Sequence, residues 1–247
     1  MKAANARQET RASRLVAALF VLAGVGLLIG LGVWQLKRLT MKNDVVTRIE
    51  ARIHAAPQPL PPAQDWARLA SGDHEYERFT FSGVFENDRE ALIYRSTGKV
   101  TGALAQPGYW VMTPLRLADG GRVLVNRGFI ALDRKAPASR AAGQIAGPVV
   151  VTGLLRTPEP RSYFTPPDNP ANGEWFTRDP IAIATALKLE QAAPFSIDED
   201  ARAAPPGAPA GGATVLDIPN NHLSYALTWF GLAATLIGVF AAFVLRR

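Results

Sequence analysis

The sequence predicts a membrane protein in which two transmembrane α-helices flank a mainly antiparallel β (α+β) extramembrane domain. Two charge-free apolar runs and a central stretch of period-two hydrophobicity predict it. Residues 15–34 and 223–245 carry no charged side chain, and each meets the length of about 20 residues that spans hydrocarbon. Between them, short alternating apolar segments are separated by Gly and Pro, the pattern of half-buried strands.

The expected organisation is a cytoplasmic tail over 1–14, a first helix over 15–36, an extramembrane periplasmic domain over 37–222, a second helix over 223–245 and a tail over 246–247. A cleavable signal peptide is the alternative for the first run, because Lys2, Arg7, Arg11 and Arg14 precede it and Gly30-Leu31-Gly32 supplies small residues near its end. Its length favours an anchor. A signal core has about 7–15 residues, whereas this run continues to Trp34, an interfacial aromatic, before Lys37 and Arg38.

A net charge of +6 invites a nucleic-acid reading, which counting by region removes. Of 27 basic and 21 acidic side chains, six and one lie in the tails, leaving 21 against 20 in the central segment. No basic groove and no nucleic-acid partner are implied; basic tails are instead the mark of chain ends kept in the cytoplasm. For the second helix this rests on Arg246-Arg247. The first is ambiguous, since Lys37, Arg38, Lys42, Arg48 and Arg52 follow it, although a long translocated domain is largely exempt from that count. A tail of 14 residues before the first run favours a protein of the bacterial inner (plasma) membrane over a mitochondrial precursor, which a processed mature chain would mimic.

After the first helix, residues 41–53 read as a short helical stalk, with Val45, Val46, Ile49 and Ile53 on one face, broken by the prolines of 57–62. Five to seven strands follow. Runs at 78–81, 91–95, 109–117, 122–130 and 149–155 are candidates, with Asp119-Gly120-Gly121 as a hairpin turn. One helix interrupts them, with Asp179 as N-cap, Pro180 at its first position and Ile181, Ala184 and Leu187 beyond. Asp198-Glu199-Asp200 reads as a solvated acidic turn, and residues 203–212 as a Pro/Gly/Ala linker.

Chemistry is sparsely seeded. The absence of cysteine excludes disulfides, thiolate metal sites and covalent haem attachment. His54, His74 and His222 lack the mutual spacing of a closed histidine site, and no hydrolase elbow, phosphate loop or dinucleotide fingerprint is present. A non-enzymatic role is therefore expected. An outer-face enzyme would need a pocket of perturbed carboxylates in the strand-rich domain.

The densest cluster runs from Asn220 to Phe230, at the entry to the second helix. His222, Tyr225, Ala226 and Trp229 share a helical face that Ala233 continues, so an imidazole flanked by aromatics and small alanines could offer a porphyrin an apolar slot. The plainer reading makes Asn220 or Asn221 a helix cap and Tyr225 and Trp229 belt aromatics. Around the first helix, Gly26-x-x-x-Gly30 could permit close helix approach. Trp34 and Arg38 could simply anchor at the headgroups, or Gln35 and Arg38 could face His222, with the guanidinium gripping a haem propionate. Arg127, in the apolar run 123–129, is either a structural ion pair or, with Phe129, a contact for a protein partner.

These residues together resemble the Surfeit-locus (Surf/Shy-type) assembly factors of haem-copper cytochrome c oxidase. The resemblance spans nearly the whole chain. It rests on Gly32, Trp34-Gln35, Arg38, Lys42, Gly83, Phe85, Pro114, Val125-Asn126-Arg127-Gly128, Trp175-Phe176 and, most specifically, the string from Pro219 to Phe230. Phe129 departs from the family's usual tryptophan after Arg-Gly. The resemblance implies a non-enzymatic factor that binds haem a transiently, through the histidine matching His222, and assists its insertion into oxidase subunit I. Partners so implied are subunit I, haem a synthase and the lipid bilayer. A scaffold that stabilises the nascent subunit without binding haem fits the same resemblance.

Overall fold

A charge-free run of apolar side chains satisfies its backbone polar groups internally only as a helix or a closed sheet, and both solutions occur in this chain. A computed structural model describes residues 2–96, 106–201, 205, 207–212 and 220–245, without the side chains of 2–14. It divides into two compact units, one of Met1–Arg48 with Asp217–Arg247 and one of Ile49–Leu216.

In the helical unit, the first run and the expected stalk form one uninterrupted helix, α1 (Lys2–Ile53). Nothing in 35–40 breaks it, because Gln, Leu, Lys and Arg are good helix formers. Its partner α4 (His222–Leu245) is apolar nearly throughout. Both are long and apolar enough to cross a membrane, and most of their large side chains are exposed, as expected of a membrane protein.

Among the buried and half-buried positions of each helix a seven-residue repeat stands out. On α1 it runs through Val21, Val25, Leu28, Gly32, Gln35 and Leu39, and on α4 through His222, Ala226, Trp229, Ala233, Leu236 and Phe240, with Gly24 and Phe230 half-buried beside it. A 3.5-residue period lets two helices keep one seam in register. A Cβ on Gly32 would stand 2.5 Å from the Phe230 ring, and one on Gly24 would stand 3.2 Å from Leu236. The Gly26-Gly30 pair is not the contact: nothing lies within 4 Å of either position. Both of these glycines fall off the repeat that the seam follows.

The second unit is a seven-stranded mixed sheet. Its strands are β1 (Gln58–Pro59), β2 (Arg78–Phe85), β3 (Ala91–Arg95), β4 (Gly108–Arg116), β5 (Arg122–Ala131), β6 (Pro148–Arg156) and β7 (Ala192–Glu199). The order β1-β2-β6-β7-β5-β4-β3 acquires a further β2–β4 pairing, Val84 to Arg116 and Phe85 to Leu115, which closes β2-β6-β7-β5-β4 into a five-stranded barrel. Gly83 makes the closure possible, because a Cβ there would stand 2.5 Å from the Arg116 carbonyl. Pairing is antiparallel except for β5–β7 and β1–β2.

Alternation sends Phe79, Phe85, Leu115, Val123, Val125, Val151, Leu155, Phe195 and Ile197 inward, where each buried side chain contributes about 1.5–3 kcal/mol. Trp66, on the one-turn helix α2 (Trp66–Leu69), meets Phe195 edge-on at 6.0 Å. A second cluster, containing Ile93, Met112, Leu124 and Trp175, receives Ile183 of α3 (Pro180–Ala186). Asp179 caps α3 by accepting from the amides of Ile181 and Ala182, each at 3.0 Å, with Pro180 at the first position. The hairpin turn forms as expected: Gly120 takes φ +91° and Asp119 Oδ1 accepts from the Gly121 amide at 3.0 Å.

Two expectations fail. Asp198 and Glu199 are buried strand residues rather than a solvated turn, because Ala193-x-Phe195-x-Ile197 carries the alternation straight into them. The described part of 203–212 is no free linker either: Ala210 and Phe129 exchange backbone hydrogen bonds of 3.0 and 3.1 Å.

Overpacking the helix seam is expected to destabilise the pair. Gly32→Leu should cost about 1–3 kcal/mol, whereas Gly30→Leu should stay within about 0.5 kcal/mol of the parent. Thermal loss of helicity in detergent reads both; equal effects would place the seam elsewhere.

Candidate functional site

α4 starts at His222, whose preceding residue Asn221 lends its carbonyl to the Tyr225 amide at 3.2 Å. Asn220 does not cap the helix with its side chain, which instead donates to Asn43 Oδ1 at 2.8 Å. The seam brings Gln35 against the first turn of α4, and His222 Nδ1–H donates to Gln35 Oε1 at 2.7 Å. Gln35 is buried, and a buried amide needs such a partner.

With Gln35 Oε1 as the acceptor, the bond places a proton on Nδ1, and the tautomer with that proton alone carries its lone pair on Nε2, the form in which histidine ligates a metal. An acceptor bonded to the opposite ring nitrogen raises ligand basicity and holds the ring plane. His222 is also part of the wall of a cleft of 580 Å³, together with Trp34, Arg38, Met41, Lys42, Asp44, Val45 and Arg48 of α1. Trp34, Arg38, Met41, Val45 and Arg48 recur at three- and four-residue intervals along one stripe, with Lys42 and Asp44 adjoining it. The lining thus combines apolar side chains, three cations and one carboxylate, and the Arg38 guanidinium lies 5.8 Å from the Trp34 ring centroid. Such a wall can take a flat apolar ligand with carboxylates at its rim.

Of the residues singled out from sequence, His222, Gln35 and Arg38 come together. Tyr225 does not: it is 56% exposed and lies outside the cleft lining, as does the half-buried Trp229. The small face expected to leave a slot is used for packing, with Ala226 and Ala233 both buried. Met41, Lys42, Val45 and Arg48 were not assigned to a site from sequence, although Met41 and Arg48 stand seven and fourteen residues after Trp34, and Val45 seven after Arg38, a signal that could have found them. Among the described residues no group of three or more His, Asp or Glu side chains is placed to hold a metal ion.

Arg127 and Phe129, candidates for a partner contact, belong to the second unit's interior, at 2% and 8% exposure. Val111 faces both Arg127 and Gly128 in a β-bulge between the pairs Trp110–Phe129 and Met112–Asn126. Asn126 sets the bulge by accepting the Gly128 amide at 3.1 Å and donating to Asp198 at 2.9 Å. Gly128 takes φ +117° against the Ala210 carbonyl, where no side chain fits.

The bulge turns Arg127 inward, 4.5 Å from the Phe85 ring centroid, to donate to Asn87 Oδ1 at 3.2 Å and to the Gly143 carbonyl. Glu90 Oε1 lies 3.9 Å away, and Glu90 receives both terminal nitrogens of Arg140 at 2.9 and 2.5 Å. Arg127 therefore sits in a buried ionic cluster, and it presents no free surface to a partner. The Phe129 ring covers Gly108 in the same way.

A second charged cluster joins β6, β7 and the segment before α3. Asp198 binds Arg156 at 2.8 Å and lies 3.7 Å from Arg178. Burial lowers the pKa of the Arg156 guanidinium, but Asp198 and Glu75 outweigh it and hold that pKa above the ordinary value. For Arg178 burial wins over Asp198, with the like charge of Arg156 adding to it, and its pKa falls. Burial drives the Glu159 carboxyl up, yet the Arg95 guanidinium at 2.5 Å and the Arg178 amide at 3.1 Å outweigh this and leave it below the ordinary value of 4.5. These side chains are paired within the fold.

Because the folded-state pKa of Glu159 is depressed, its stabilising contribution is complete above the unfolded value and disappears as pH falls through the folded one. Glu159→Gln should therefore be less stable than the parent at pH 7, with the gap closing in acid below the glutamate range. Urea unfolding of the two proteins across that range measures it, and a gap independent of pH would contradict the assigned pairing.

The profile of the SURF1 family matches residues 22–234, which takes in part of each helix of the pair and the whole strand-rich unit. A SURF1-like protein of Monosiga brevicollis is 37% identical over 227 residues, covering 88% of this chain and 83% of its own. Surfeit locus protein 1 of Homo sapiens is 34% identical, over 83% of this chain and 70% of its own length. The Takifugu rubripes protein of that name is 33% identical, over 87% and 92%.

Proposed function

Because the chain belongs to the SURF1 family, we propose that it is an assembly factor for haem-copper cytochrome c oxidase that holds haem a as cargo at His222 and delivers it to subunit I. The observation that carries this reading is the Gln35–His222 hydrogen bond, which engages Nδ1 and leaves Nε2 as the ring nitrogen open to a ligand at the wall of a cleft. The residues present fit such a cargo. Trp34, Met41 and Val45 suit the apolar macrocycle, and Arg38 and Lys42 suit its carboxylates. Among the described residues His222 is the only imidazole lining the cleft, and ligation through one imidazole favours release, which a carrier requires and a resident cofactor site does not.

No catalytic step is assigned to any residue. The two apolar helices are taken as spans of the bacterial inner (plasma) membrane with both termini cytoplasmic and the strand-rich unit periplasmic; the basic residues of both tails support that direction. Haem a synthase is the natural donor of the cargo. Tyr225 and Trp229 retain a place as aromatics of the membrane interface rather than as walls of the site.

The test is co-expression with haem a synthesis, followed by purification in detergent and a reduced-minus-oxidised spectrum. The parent should carry haem a, His222→Ala should lose it, and Gln35→Leu should hold it about 10–100-fold more weakly. Co-purification of subunit I with no haem in either parent or variant would sink the carrier reading and leave a scaffold for the nascent subunit.

A further inference from the structure

Residues 161–168 of the strand-rich unit form a loop with no counterpart in the function above. The Thr165 amide donates to the Ser162 carbonyl at 3.1 Å, closing a tight turn whose two central residues are Tyr163 and Phe164. Central turn positions ordinarily take Gly, Pro, Asn, Asp or Ser. Here they hold two aromatic rings, 96% and 90% exposed, that touch edge to face at 5.4 Å.

The turn is rigidly based. Ser162 and Thr165 are joined through their hydroxyls at 3.0 Å. Arg161 donates to the Pro166 carbonyl at 2.5 Å and to Thr177 Oγ1 at 2.9 Å, and it pairs with Asp168. Asp168 in turn accepts from the Phe176 amide at 2.6 Å. The rings are thus held out from a clamped frame, so docking them orders little further chain.

We infer that this turn is a lipid contact that places Tyr163 and Phe164 at the headgroup level of a bilayer. Size decides against a protein partner. Two aromatic side chains offer about 300–500 Å², less than the roughly 800 Å² each partner buries in a stable protein interface. A lipid surface needs no matching shape. A unit joined at both chain ends to membrane-spanning helices meets that surface at high effective concentration, so a weak contact suffices. Chemistry agrees: residues 162–167 contain no charged side chain, so no carboxylate on the tip itself opposes an anionic surface. The tyrosine hydroxyl suits the interface and the phenylalanine ring the acyl boundary.

The inference rests on the reading of the two apolar helices as membrane spans, and the experiment separates the two. The chain has no cysteine, so Pro166→Cys accepts a single environment-sensitive fluorophore beside the turn. The labelled full chain is reconstituted into vesicles of phosphatidylcholine and phosphatidylglycerol containing a lipid with a shallow nitroxide quencher. Flotation with the vesicles reports the spans. Loss of emission that is restored by Tyr163→Ser with Phe164→Ser, in a variant that melts like the parent, is the expected result. Flotation without quenching overturns the lipid contact alone, and quenching that survives the double substitution overturns the role of the rings. Protection that arises only when other membrane proteins are added would assign the turn to a protein partner instead. Failure to float would overturn the spans and the contact together.

Discussion

Removing a polar group from water without a partner costs about 1–3 kcal/mol, and this constraint organises both units of the chain. In the helical unit, the Gly32–Phe230 approach excludes solvent from the seam, and Gln35 must then bond across it to His222. The imidazole orientation is therefore a product of packing. In the strand-rich unit, Arg127, Arg140, Glu90, Asp198 and Arg178 have side chains withdrawn from water, and each lies within 4.0 Å of an oppositely charged side chain. Breaking such a buried pair typically costs about 3–5 kcal/mol, which explains why a strand otherwise made of Val and Leu retains an arginine.

The family string accordingly divides by physical role. Gly83 permits barrel closure, Asn126-Arg127-Gly128 forms the bulge that buries a guanidinium, and Trp175 fills the second apolar cluster while bridging to Ile93. These residues maintain the fold. Trp34, Gln35, Arg38, Lys42 and His222 instead converge on one cleft or on the hydrogen bond behind it. Residues far apart in sequence, at positions 34–48 and 222, can share that cleft because their helices share a 3.5-residue repeat.

Much of the architecture was legible in the sequence because it depends on local pattern. Five strands, the Asp119-Gly120-Gly121 hairpin and the Asp179-Pro180 helix start fall where period, turn chemistry and capping place them. What escaped depends on long-range pairing. β7 ends in two acidic residues with a third just beyond it, and composition cannot reveal that Arg156, Arg178 and Asn126 wait to receive Asp198. Arg127 looked the same as an interface arginine or as a buried pair until Glu90 and Arg140 were placed beside it. At the candidate site, the pairing of Gln35 and Arg38 with His222 was readable from their shared membrane level. The exclusion of Tyr225 was not, since it follows from which of two neighbouring helical faces meets α1.

The tautomer of His222 tests the site most directly. With histidine labelled at both ring nitrogens, only His54, His74 and His222 contribute, and His222→Ala identifies the third resonance pair in detergent. The expected spectrum has a protonated Nδ1 and a bare Nε2 at neutral pH, reverting to an exchanging mixture in Gln35→Leu. A proton resident on Nε2, or signals indifferent to Gln35→Leu, would contradict a histidine poised by its neighbour to ligate.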